Sequence, residues 1–168
     1  PSSSVYAHRF GSLIRAYQLI GFQPERDYKY LEINRFLRKL HPDILNSTVA
    51  NIEAMNGKVK WDEKTDLLHV NNEFTASIVL ARCQLLESGR RFWKVRLDTS
   101  LNPDISVVVR LSPGNEEALD YYLLPRLDFG TCGIRLAEQN AMELESYRFD
   151  TLDYFYGMGA QTKLRRVA

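Results

Sequence analysis

A chain of 168 residues that is 45% hydrophobic, 26% charged and 11% aromatic has the make-up of one ordered globular domain. At this length roughly 70% of the unfolded surface can be buried, and the aromatic content argues against a disordered tail. The formal charge of +1 conceals a division, because residues 1–41 carry seven Lys/Arg against three acids while residues 98–153 carry four Arg against eleven acids.

The basic end is the one expected to face a nucleic acid. No apolar run approaches the ~20 residues that span a bilayer, and no Cys/His spacing resembles a zinc site. The start "PSSSVYAHRF" has neither an initiating Met nor an apolar signal segment and reads as the beginning of a piece of a longer protein. Cys83 in an apolar strand and Cys132 in a glycine-containing turn do not suggest a disulfide framework, which fits a reducing, cytoplasmic setting.

In chain order, Tyr6, Phe10, Leu13, Ile14 and Tyr17 recur at helical spacing and predict an amphipathic helix over residues 5–20, stopped by "GFQPERD". A second helix is expected from about Tyr28 to Leu40, with Tyr30, Ile33, Phe36, Leu37 and Leu40 on one side and Lys29, Glu32, Arg35 and Lys39 largely on the other. Pro42 suits the first position of a third helix, Asp43 its positive N-terminal end, and "NG" at Asn56-Gly57 its stop.

After Gly57 the hydrophobic period shortens to two, or gives way to continuous β-branched runs. Strands are predicted over 58–61, 66–70, 74–83, 92–97, 105–111 and 119–124. The short links "DEKT", "NN", "ESGR", "TSLNPD" and "SPGNEE" favour antiparallel neighbours. "ISVVV" at 105–109 is apolar on both faces and is expected at the centre of the sheet, whereas "FWKVRL" at 92–97 alternates and should show Lys94 and Arg96 on one face. "LDYFYGMGA" reads as a short aromatic helix covering the sheet and "KLRRVA" as a basic tail. The expectation is a single α+β domain: a helical part over 1–57, a mostly antiparallel sheet of five to six strands over 58–125, then a turn, the covering helix and the tail over 126–168.

The hairpin "TDLLHVNNEFTASIVLARCQ" at 65–84 carries an acid at its start and an arginine near its end. The order of helix, glycine, strand, strand beginning with Asp and long strand ending in a base resembles the restriction-endonuclease-like, or PD-(D/E)XK, core over residues 44–125. That resemblance implies Mg²⁺ held by hairpin acids and a lysine that orients the attacking water, with Asp66 in place of the first acid and Arg82 in place of the lysine. Two departures weigh against activity. Leu80 stands where the second acid would be, and one carboxylate is a poor ligand set for a hard cation; a guanidinium stays protonated and cannot serve as a general base. Register matters too: pairing residue 66 with 80 would put Asp66 and Arg82 on one face, and pairing it with 79 on opposite faces.

The segments "FQPERDYKYLEINRFLRKLHPDI", "FTASIVLARC", "WKVRLDTSLNPDISVVVRL", "LDYYLLPRLD", "IRLAEQN" and "YRFDTLDYF" resemble terminal domains of mobile-element DNA recombination proteins. This resemblance implies a DNA-handling accessory module without a cofactor. No GxGxxG, P-loop, GxSxG or HExxH occurs, so nucleotide, α/β-hydrolase and zincin chemistries have no motif behind them.

Three functions are consistent with these observations. The first is a DNA-binding accessory domain of recombination or transposition in which Arg26, Lys29, Arg35, Arg38, Lys39, Arg90 and Arg91 contact phosphates. The second is a Mg²⁺-dependent nuclease in which Asp66, Glu73 and Asp104 supply carboxylates and Lys94 or Arg82 the positive group. The third is a module that docks on other domains or subunits of its parent through an apolar sheet face or the acidic C-terminal half. Only the second makes the chain an enzyme, and none involves a membrane or a small-molecule cofactor.

Overall fold

The computed structural model describes residues 3–10, Ala16, Leu19, 29–97, 101–129 and 133–162. Its contacts fall into two compact units, Pro1–Glu32 and Ile33–Ala168. In the first, helix α1 spans Ser3–Phe10, starting two residues before the predicted first helix and overlapping its beginning, and the Arg9 guanidinium lies 6.0 Å from the Phe10 ring. Apart from Ala16 and Leu19, both helical, the remainder of that predicted helix lies outside the described residues, as do the "GFQPERD" stop and the "KLRRVA" tail.

Helix α2, Lys29–Ala54, is one helix of 26 residues with Pro42 inside it, where the sequence suggested two helices divided at that proline. Pro42 has no N–H for the carbonyl of Arg38, yet the chain is anchored on both sides of the gap. Leu37, Leu40, Ile44 and Leu45 belong to one core, and His41 donates from Nε2 to the Ile78 carbonyl at 3.0 Å. Packing thus overrides the local break. The helix stops as expected at Asn56-Gly57: Asn56 takes φ 63°, Gly57 N–H returns to the Ile52 carbonyl (3.0 Å) and Asn56 N–H to that of Glu53 (2.9 Å), the Schellman pattern.

The strands are β1 Val59–Asp62, β2 Leu67–Val70, β3 Phe74–Ala81, β4 Cys83–Leu85, β5 Arg91–Val95, β6 Ile105–Leu111, β7 Ala118–Pro125, β8 Ile134–Ala137 and β9 Arg148–Phe149; helices α3, Met142–Glu145, and α4, Asp153–Met158, flank β9. They form a six-stranded sheet, β1-β2-β3-β6-β7-β9, and a three-stranded sheet, β4-β5-β8. The predicted strand 74–83 is split, because the chain leaves the large sheet at Arg82 and enters the small one at Cys83. Asn115 holds that corner, its side-chain amide accepting from the Cys83 N–H (2.7 Å) and donating to the Cys83 carbonyl (3.2 Å).

Most neighbours are antiparallel, as expected, but β3 and β6 run parallel with Ala76 opposite Ile105. The link between them contains β4 and β5, long enough for the crossover a parallel pair demands. The central place of "ISVVV" is observed. Val107, Val109 and Leu111 face a core with Leu45 and Ile52 of α2 and Phe155 of α4, and Val108 faces a second core with Trp93, Val95, Tyr122 and Leu136. The layer order is therefore α2, large sheet, small sheet. Among the described residues no helix is long and apolar enough to cross a membrane.

Candidate nucleic-acid interface

Asn34, Arg38, His41 and Pro42 succeed one another at helical spacing and, with Leu37, line a shallow depression on α2 of about 540 Å³. Its shape depends on the sheet beneath, since the His41 ring is fixed by its bond to Ile78 of β3. Arg82, exposed at the corner between the two sheets, donates from its guanidinium to Asn34 Oδ1 at 2.8 Å. The partner is a neutral amide. The bond orients Arg82 without cancelling its charge, and it leaves the Asn34 NH₂ group available to donate.

Arg35, Arg38 and Lys39 are exposed on the same stretch of helix. Among the described residues the ion pairs are Arg91–Glu138, Arg110–Asp120, Arg126–Asp104, Arg148–Asp120 and Arg148–Glu145, and none includes Arg35, Arg38, Lys39 or Arg82. Asp43 stands four residues after Lys39, a spacing that allows an ion pair, without forming one. The result is a cluster of four cations in which Arg38 sits in the depression, Arg82 at its rim and Arg35 and Lys39 beside it.

The other predicted DNA contacts are placed differently. Arg90 is exposed in the β4–β5 hairpin turn, where its carbonyl accepts from Leu86 N–H at 2.9 Å. Arg91 is paired with Glu138 at 2.8 Å, both side chains being half exposed. Lys29 opens α2, and Arg26 lies outside the described residues. Trp93, beside the hairpin arginines, is in the core, where its Nε1–H donates to the Leu111 carbonyl at 2.7 Å.

The residues of the nuclease reading are not brought together. The ladder ends with Leu67 opposite Ser77, so residue 66 is paired with neither 79 nor 80. Asp66 itself has left the strand, with φ 55° in the β1–β2 turn, and accepts from Trp61 Nε1 at 3.3 Å. Glu73 is exposed in the turn at the other end of β2. Asp104 lies beyond β3, where its Oδ2 accepts from Thr75 N–H and Oγ1–H, both at 2.8 Å, and its Oδ1 from Arg126 at 3.2 Å. The bonds to Thr75 hold its pKa below the ordinary carboxylate value. Asp66 precedes β2 and Asp104 precedes β6, and β3 lies between those two strands, which are about 10 Å apart across it. The two carboxylates do not fit a shared Mg²⁺, whose oxygen ligands lie about 2.1 Å from the ion. No group of three His, Cys, Asp or Glu suited to a metal occurs among the described residues. Lys94 is exposed on β5 directly opposite Arg135 of β8.

Asn34 and His41 escape a reading by sequence because a helix expected to end before Pro42 puts its own boundary beside His41. Their signal was the spacing of Asn34, Arg38 and His41, which becomes one stripe only when the helix continues.

No protein-family model matches the chain, and a comparison with curated proteins finds no relative. Among solved structures, that of a bacterial homing endonuclease is similar with a TM-score of 0.44 and 16% identity, over 72% of this chain and 92% of that one.

Proposed function

We propose that this chain is a nucleic-acid-binding module, an accessory domain of DNA recombination or transposition, that grips phosphates through α2 and the sheet corner. One observation carries the reading: Arg35, Arg38, Lys39 and Arg82 form a cluster with no carboxylate in ion-pair contact among the described residues, and Arg82 is aimed by the neutral side chain of Asn34. Clustered cations repel one another; a polyanion laid along the helix removes that repulsion and releases its own counterions. The resemblance of "FTASIVLARC", which ends at this corner, and of "YLEINRFLRKLHPDI" on α2 to mobile-element recombination proteins supports DNA as the polyanion.

Fluorescence anisotropy with a labelled duplex tests it. At low salt the unmodified chain binds, and the variant Arg38→Ala with Arg82→Ala binds at least tenfold more weakly, each lost phosphate contact costing about 1 kcal/mol or more. Absence of binding at low salt, or the same affinity for the variant, rejects the proposal. Including Mg²⁺ in one arm shows whether the duplex is also cut.

A further inference from the structure

Two facts about the small sheet are unexplained by the α2 site. Lys94 and Arg135 are direct cross-strand partners in the β5–β8 ladder, and like charges so placed weaken a sheet. Neither takes part in an ion pair among the described residues. Their face is the outward one, because Trp93, Val95 and Leu136, which alternate with them, are all buried in the core. Arg96, also exposed, comes two residues after Lys94, and the Arg135 guanidinium lies 4.6 Å from the centre of the Phe92 ring. A sheet that faced only water would gain by replacing one member of the Lys94/Arg135 pair with an acid, so the juxtaposition fits an anionic partner.

The layer order decides where that partner lies. The α2 cluster is on one side of the large sheet and the Lys94/Arg135 face is on the far side of the small sheet, with both hydrophobic cores between them. At about 10 Å per layer spacing the two cationic surfaces are roughly 20 Å apart and point in opposite directions. One duplex laid on α2 cannot also lie flat against the small sheet.

We infer that the outer face of β5 and β8 is a second phosphate-binding surface, and that a single chain bridges two nucleic-acid duplexes. The inference rests on the proposed function for the first duplex. Lys94 and Arg135 then act together on the backbone of the second, with Arg96 extending the track.

The test is stoichiometry. The full chain is mixed with a short blunt duplex of about one helical turn, too short to wrap around three layers, and complex mass is measured at low salt by sedimentation or light scattering. One chain with two duplexes is the expected result, and Lys94→Glu with Arg135→Glu reduces it to one chain with one duplex. The paired substitution lies on exposed positions, and circular dichroism checks that the variant folds. One duplex per unmodified chain at saturation, or two chains with two duplexes, overturns the bridging inference and leaves the α2 reading standing. No complex at all removes the α2 reading, and the bridge with it.

Discussion

At the scale of single residues the most consequential group is one that no sequence motif announces. Arg110 is 3% exposed and Asp120 likewise 3%, and they are joined by two bonds, one from Arg110 Nε to Asp120 Oδ1 at 2.7 Å and another between Arg110 Nη2 and Asp120 Oδ2. The guanidinium also donates to the Ala137 carbonyl at 2.6 Å and lies 4.7 Å from the Trp93 ring. It therefore ties the large sheet to the small one. Burial opposes the Arg110 charge, but the bonds to Asp120 outweigh it and keep its pKa above the ordinary value, while burial pushes the neighbouring Tyr122 hydroxyl up to about 12. Removing one partner strands a charge: Asp120→Ala is expected to lose about 3–5 kcal/mol in urea unfolding, and Arg110→Met combined with Asp120→Leu much less. Equal losses for the two would show that packing, not charge, holds this junction.

Asp104 belongs to the same scale. Because its bonds to Thr75 lower its folded pKa, the unfolded chain binds that proton more readily. The contribution is complete above the ordinary carboxylate value of about 3.9 and fades as pH falls through the lower folded value. Asp104→Asn is accordingly expected to lower the Tm at neutral pH, with the gap to the unmodified chain closing as the pH falls below the ordinary carboxylate range. A gap unchanged across that range would refute the linkage.

At the scale of elements, the end of α2 and the end of α4 meet with almost no space. A Cβ on Gly57 would stand 2.3 Å from the Gly159 carbonyl oxygen and 2.5 Å from Ile52 Cγ2, whereas one on Gly157 would meet nothing within 4 Å. Asn71 crosses the same junction, donating to the Gly159 carbonyl at 3.0 Å. Thermal unfolding should show Gly57→Ala destabilised by about 1–3 kcal/mol and Gly157→Ala unchanged or slightly stabilised, the helix losing a glycine. The long helix and the closing helix are thus one contact, and the stop at Asn56-Gly57 serves packing as well as termination.

At the scale of the molecule, cations are treated differently in different places. Arg110, Arg126 and Arg148 in the acidic segment are each paired with a carboxylate, while Arg35, Arg38, Lys39 and Arg82 take part in no ion pair among the described residues. Overall charge is close to neutral, so attraction to a polyanion must be local and short in range. When the duplex is titrated at several salt concentrations, log affinity should fall linearly with log salt at about −0.9 per phosphate neutralised, and Arg38→Ala with Arg82→Ala should make that slope shallower by about two contacts.

Much of this molecule was written in local pattern. Alternation and turn residues determined β2, β6, β7 and the aromatic closing helix to within a residue or two, because those elements bury one face or both against a core. The two-sided apolarity of "ISVVV" determined that it lies between two layers. What tertiary structure alone decided is the continuity of α2 through Pro42, the turn of the chain at Arg82 into a second sheet, the parallel pairing of β3 with β6, and the short strands β8 and β9. Each depends on a partner distant in sequence: Ile78 for His41, Asn115 for Cys83, Trp93 for Leu136. Periodicity reports how one segment meets a hydrophobic surface; it holds no information about which residue far along the chain supplies that surface, and so the meeting of Arg82 with Asn34 and Arg38 exists only once the chain has folded.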